Sequence, residues 1–222
     1  QKAQLLLKLK KLENYKMIKL IIFDLWNTLA YKDKNNNTIA AIMKRFGIKV
    51  PSEKLRKIFE SSVQTKKWKS KYKAYEIFCK NIGIKPTREN VLLVQKIGDT
   101  REAKTKLYVH VIPMLKSLRR QGYKIGLISN TTIFSIEYVK KTKLFDYIDY
   151  PVFSFEVGVV KPELKAYKKI LKDTKVKPTE ALMIGNNPTD DVIPPRKLGM
   201  HAIHFKNYSN LKKELRKLGI NF

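Results

Sequence analysis

The chain has 222 residues, 43% of them hydrophobic and 10% aromatic, enough to fill one core with an inserted subdomain or two small domains, and too many for global disorder. Against 47 Lys+Arg stand only 19 Asp+Glu, a formal net charge of +28, which attracts anions through long-range fields without dictating a fold. A single cysteine, Cys79, excludes an internal disulfide and any multi-cysteine metal site, and suits a reducing, cytoplasmic compartment.

Residues 1–16, QKAQLLLKLKKLENYK, have helical character but no cap. Lys8, Lys10 and Lys11 break their apolar patch well short of a signal-peptide core or membrane span. They read as an extension of unassigned role, and nothing in the chain reads as entering a bilayer. From Met17 the run Met-Ile-Lys-Leu-Ile-Ile-Phe is apolar and β-branched and ends on Asp24, as a buried parallel strand does. Residues 33–37 form a polar turn cluster.

From Thr38 to about Lys106 the apolar spacing becomes helical. Ile39, Ile42, Met43 and Phe46, closed by Gly47, predict one helix, and Leu55, Ile58, Phe59 and Val63 a second. Tyr72, Tyr75, Ile77 and Phe78 predict a third, and Val91, Leu92 and Val94 a fourth. Helix and strand then alternate: a helix from Val111 to Gly122, a strand over 124–128, a helix over 134–141, an apolar run over 152–155, a helix over 163–173, a strand over 181–184, a helix ending at Gly199 and a strand over 201–205. Alternation of this kind builds an α/β fold, a doubly wound parallel sheet covered on both faces. The expected division is a core over 17–33 and 107–222 with a helical insertion over 34–106. Lysines are spread along nearly every segment, with no zinc-finger, RNP-like or Arg-rich pattern, so the charge predicts generic solubility and no specific nucleic-acid reading.

Chemistry-bearing groups fall just past the carboxyl ends of predicted strands, where ligands bind in open α/β sheets. They are Asp24, Ser129, Lys161 and the cluster Asn186-Asn187-Pro188-Thr189-Asp190-Asp191. Phosphoryl chemistry needs a nucleophile, donors for the equatorial oxygens, a cation against the dianion and oxygen ligands for Mg²⁺, and these groups supply the roles in that order. Plainer roles also exist: Asp24 and Ser129 as caps, Lys161 as one lysine among many, Asp190 and Asp191 as carboxylates at a helix N-terminus.

Four segments carry a resemblance. They are Ile21-Ile22-Phe23-Asp24-Leu25-Trp26-Asn27-Thr28, then Ile125-Gly126-Leu127-Ile128-Ser129-Asn130, then Val160-Lys161-Pro162-Glu163, and Met183-Ile184-Gly185 through Asp191 with Leu198-Gly199-Met200 beyond it. In these motifs, in this order, the sequence resembles the haloacid dehalogenase-like (HAD) hydrolases over about residues 17–206. The resemblance implies a HAD-type Rossmann-like core, a helical cap over 34–106, and hydrolysis by an Asp24 nucleophile. Ser129 and Lys161 would hold the phosphoryl oxygens and Thr28 would brace the nucleophile loop. Mg²⁺ would be held by Asp24, the Trp26 carbonyl, Asp191, and Asn186 or Asp190. Trp26, Asn130 and Arg56 would meet the substrate, a small phosphorylated metabolite.

Two positions depart from the family pattern. Trp26 stands where HAD phosphatases have an acid-base Asp, and an indole cannot protonate a leaving alcohol. Asn186 stands where the first acidic metal ligand is usual, which removes one ligand charge. The dehalogenase branch has an aromatic residue at the Trp26 position, uses no metal, and shares the Ser129-Asn130 pair; there Arg56 would be a halide contact rather than a helix-surface arginine. The leading expectation is therefore a Mg²⁺-dependent phosphatase, with a metal-independent 2-haloacid dehalogenase second. The third is a catalytically silent fold that binds a phosphorylated ligand or a polyanion.

Overall fold

The structure, a computed structural model, describes residues 18–32 and 38–222. The extension over 1–16, Met17 and the turn cluster over 33–37 lie outside the described residues. The strands are β1 (Leu20–Phe23), β2 (Ala30–Tyr31), β3 (Lys106–Leu107), β4 (Lys124–Ser129), β5 (Tyr150–Phe153), β6 (Ala181–Gly185) and β7 (His201–His204). Helices α1 (Thr38–Phe46), α2 (Ser52–Val63), α3 (Lys71–Asn81) and α4 (Arg88–Glu102) lie between β2 and β3. After β3 come α5 (Val111–Arg120), α6 (Ile133–Lys140), α7 (Ser154–Val157), α8 (Leu164–Thr174), α9 (Ile193–Lys197) and α10 (Tyr208–Lys217).

The main sheet is five-stranded and parallel, in the order β5-β4-β1-β6-β7, so β1 lies at its centre. Phe23 is opposite Leu127 of β4 on one side and Ile184 of β6 on the other. A central strand covered on both faces is apolar throughout, which is why β1 shows no alternation, yet its pleat still sorts the side chains. Ile21 and Phe23 pack with Leu115 of α5, Val139 of α6 and Leu215 of α10, whereas Leu20 and Ile22 pack with Tyr167 and Ile170 of α8. The sheet is therefore wound on both faces. Gly126 of β4 permits the close approach of α8, since a Cβ there would lie 2.5 Å from Ile170 Cδ1.

Helices α1 to α4 share a separate apolar cluster, with Ile42, Leu55, Val63, Phe78, Val91 and Val94 all buried in it. Ser70 and Thr87 cap α3 and α4 by accepting from the amides of Lys73 and Asn90, each at 3.3 Å. The two chain passages between this bundle and the sheet are joined by the antiparallel β2–β3 pair, with Ala30 opposite Leu107 and Tyr31 opposite Lys106.

Two of the expected elements differ in their course, and three elements were not expected. The run expected as a strand over 152–155 pairs from Tyr150 and already turns into α7 at Ser154, whose hydroxyl is engaged with Thr131 on the loop after β4. The helix expected to end at Gly199 begins as a π-helical turn over Pro188–Val192 before α9. The two-residue β2 and β3 and the helix α10 were not expected. Among the described residues no helix is long and apolar enough to cross a membrane.

Candidate active site

Asp24 follows β1 directly, and its amide extends the sheet by donating to Ile184 O at 2.8 Å. The chain then turns tightly: the amides of Leu29 and Ala30 both donate to Leu25 O, and Asn27 takes a left-handed conformation at φ 62°. This turn brings the Thr28 hydroxyl back to donate to Asp24 Oδ2 at 3.3 Å. Lys161 approaches from the loop before α8. Asn130, at the end of β4, holds that loop at two points: its Oδ1 accepts from Lys161 N at 2.7 Å and its Nδ2 donates to Lys161 O at 3.1 Å.

The Lys161 ammonium donates to Asp24 Oδ1 at 2.7 Å and to Asp191 Oδ1 at 2.5 Å, with all three side chains buried. Asp191 is held from its other side, its Oδ2 accepting from Asn187 N at 3.0 Å, while Asn187 Nδ2 donates to Asp190 Oδ2 at 2.8 Å. The Tyr167 hydroxyl, from α8, donates to Asp190 O. Burial pushes Asp24 up to about 7, Asp191 adds to the rise and the Lys161 ammonium opposes it. For Lys161 burial acts downward, but Asp24 and Asp191 outweigh it and hold the ammonium protonated above the usual lysine range. Two buried carboxylates thus share one ammonium, which leaves the cluster short of positive charge.

The Asn186 amide lies against Trp26 O at 2.8 Å and Asp24 Oδ2 at 3.2 Å. With its NH₂ turned there it donates to both; with its oxygen turned there, three oxygens converge. Adjacent oxygens of an octahedral Mg²⁺ shell are roughly 3 Å apart, given Mg–O lengths of about 2.0–2.1 Å. The second orientation therefore fits a hard cation, which Asp24, the Trp26 carbonyl and Asn186 can hold with Asp190 beside them. Among the described residues no group of three or more His, Cys, Asp or Glu side chains is arranged to hold a metal. The ligand set is correspondingly poor in charge.

These groups open into a cavity of about 600 Å³ between the sheet and the helical bundle. Its wall has six carboxylates, Asp24, Glu53, Glu60, Glu102, Asp190 and Asp191, against four cations, Lys32, Arg56, Arg101 and Lys161. A chain of net charge +28 therefore carries an excess of carboxylates among the described residues of this wall. Asn130 and Trp26 also line the cavity; Ser129, which precedes Asn130, is not among the lining residues, and its hydroxyl is buried without a hydrogen-bond partner among the described residues. Arg56 lines it too, but its guanidinium is bound to Glu53 at 2.6 Å and to Glu60. The sequence did not single out Lys32, Glu60, Arg101, Glu102 or Tyr167. Lys32 and Arg101 are two among 47 basic residues, and no spacing distinguishes them.

Gly185 explains why the strand before the acidic cluster ends without a side chain. A Cβ there would fall 2.3 Å from Asp191 Cγ, inside the carboxylate that Lys161 binds. Gly185→Ala is expected to cost about 1–3 kcal/mol by overpacking and to weaken Lys161 binding of Asp191. Urea unfolding together with activity checks this, and an unchanged midpoint with full activity would contradict the packing.

The haloacid dehalogenase-like hydrolase family model matches residues 18–199. The chain belongs to this family. It is a hydrolase of HAD type, and the cluster of Asp24, Lys161 and Asp191 lies within the matched span. Glyceraldehyde 3-phosphate phosphatase of Methanopyrus kandleri is 27% identical to this HAD chain over 198 residues, 86% of the chain and 84% of that protein. The rhythmically expressed gene 2 protein of Drosophila melanogaster is 33% identical over 104 residues, which is 45% of this chain and only 40% of that relative's length. A solved HAD family enzyme from Bacteroides thetaiotaomicron shares the fold, with a TM-score of 0.65, 20% identity and coverage of 87% of this chain and 98% of its own.

Proposed function

We propose that this HAD chain is a phosphohydrolase in which Asp24 attacks phosphorus. The observation that supports it most is the buried Lys161 ammonium shared by Asp24 and Asp191 in the wall of a cavity that is rich in carboxylates. One Asp24 oxygen is bound by Lys161 and the other is met by Thr28, which fixes the carboxylate plane for attack. The Asp24–phosphorus bond forms as the bond to the leaving oxygen breaks, and water then cleaves the aspartyl-phosphate to release phosphate. Ser129 is suited to donate its unpartnered hydroxyl to a phosphoryl oxygen, and Lys161 to neutralise another. A Mg²⁺ on Asp24, Trp26 O, Asn186 and Asp190 or Asp191 would offset the repulsion between the dianion and the nucleophile. Residues 34–106 serve as a cap over the core of 17–33 and 107–222, in keeping with their separate apolar cluster and the β2–β3 junction.

A second reading has one observation behind it. With its NH₂ toward Trp26 O and Asp24 Oδ2, Asn186 satisfies both without a cation, as metal-free dehalogenation at carbon would need. The Arg56 guanidinium is already met by two glutamates, which does not favour a halide role. Turnover of p-nitrophenyl phosphate with Mg²⁺, lost in EDTA and regained on re-addition, is the expected result. Chloride release from 2-chloropropionate that is indifferent to EDTA, with no phosphate release, would replace the phosphohydrolase reading by the dehalogenase one.

A further inference from the structure

We infer that the substrate's leaving group is itself an oxyanion, a phosphate or a carboxylate, and that Arg101 binds it; this rests on the phosphohydrolase reading above. Each other cation in the cavity wall already has a carboxylate: Lys161 has Asp24 and Asp191, Arg56 has Glu53 and Glu60, and Lys32 has Glu102 at 2.5 Å. Among the described residues the Arg101 side chain enters no hydrogen bond or ion pair, and its Nε is fully buried without a partner. Arg101 as a whole is half-buried, and a guanidinium cannot shed its proton, so the Nε–H held out of water is costly unless an acceptor reaches it. Among the described residues none reaches it, which leaves that role to the ligand.

Position gives the anion its place in the reaction. In-line attack by Asp24 sends the leaving group away from the attacking carboxylate, into the cavity that residues of the helical bundle also line. Trp26 lines that cavity, with Lys32 Nζ 3.7 Å from its ring centroid; Lys32 binds Glu102, which follows Arg101 at the end of α4, and both of these line the cavity too. An indole at this wall has no proton to give to an alkoxide. A phosphoanhydride or acyl phosphate needs none: the electron pair of the breaking P–O bond leaves on a phosphate or carboxylate oxygen, which departs as a stable anion. Water then completes hydrolysis of the aspartyl-phosphate. The missing acid and the unpaired guanidinium are thus explained by one substrate class.

The test separates binding from turnover. Inorganic pyrophosphate and orthophosphate are titrated calorimetrically into Asp24→Asn protein with excess Mg²⁺, with and without Arg101→Gln. Pyrophosphate is expected to lose about tenfold in affinity with Arg101→Gln while orthophosphate changes by less than about twofold, and Arg101→Lys should recover part of the loss. In the otherwise unaltered enzyme, pyrophosphate and acetyl phosphate are expected to exceed ethyl phosphate and glyceraldehyde 3-phosphate in kcat/KM by about 10²-fold or more, as the missing acid implies. Preference for pyrophosphate identifies a phosphate leaving group, and preference for acetyl phosphate a carboxylate. Equal losses for pyrophosphate and orthophosphate, or glyceraldehyde 3-phosphate as the best substrate with Arg101→Gln neutral, would overturn the inference. Failure to turn over p-nitrophenyl phosphate overturns the phosphohydrolase reading instead, and the titration still reports on Arg101.

Discussion

Asp24→Asn is expected to lower turnover by about 10⁴-fold or more, because an amide keeps the shape of the carboxylate but not its nucleophilicity. Steady-state kinetics on freshly purified protein, with deamidation excluded by mass measurement, checks this; retained activity would remove Asp24 from the mechanism. The same variant also carries a pH signature. Burial holds Asp24 at about 7 in the folded chain, against roughly 4 for an aspartate in an unfolded one. Between those values the folded state binds a proton that the unfolded state lacks, so this contribution to stability is present below the unfolded value and lost as pH rises through the folded one. Asparagine has no such proton. In EDTA the melting temperature of Asp24→Asn should therefore fall less between pH 5 and pH 8 than that of the parent. Parallel curves would mean that Lys161 keeps Asp24 ionised throughout.

Lys161→Met is expected to be the most destabilising single change at the site. Its ammonium separates Asp24 from Asp191, and all three groups are buried. Removing one partner from a buried ionic cluster costs about 3–5 kcal/mol, and here two like charges are left facing each other. The loss should be largest at pH 8 and smaller at pH 5, where a carboxylate can take a proton. Turnover should fall by about 10²- to 10³-fold, the usual loss when a preorganised electrostatic partner of the transition state is removed. Adding Asp191→Asn to Lys161→Met should recover stability without recovering activity. If urea unfolding gives Lys161→Met the parent midpoint at pH 8, the ionic cluster does not support the fold as described.

The parts of the molecule legible in the sequence are those governed by periodicity and by strand ends. The β1 run ending on Asp24, the β4 run ending on Ser129, and Gly185 before the acidic cluster each announce a buried parallel strand followed by a polar group, and the sheet brings those strand ends together. Lys161 was legible only through its place before Pro162. Its two carboxylate partners are 137 and 30 residues away in the chain, a pairing that no local pattern encodes. Two-residue strands such as β2 and β3 are too short to show any alternation. The α10 helix was there to be read, with Asn207 as its cap and Leu211 and Leu215 four apart on its buried face. The far wall of the cavity was not: Lys32, Arg101 and Glu102 meet only because β2 and β3 pair.

The Tyr167 hydroxyl on Asp190 O has a cause three residues further along the backbone from Asp191. In a regular helix the carbonyl of Asp190 would accept from the amide of residue 194, but that residue is proline and has no amide hydrogen. The carbonyl is therefore left for a side chain of the neighbouring helix α8, and Tyr167 takes it. Any other residue at 194 would offer a competing donor and draw the acidic turn into its own helix. An imino acid thus sets how far the turn bearing Asp190 and Asp191 leans toward the nucleophile, and a phenol on α8 holds it there.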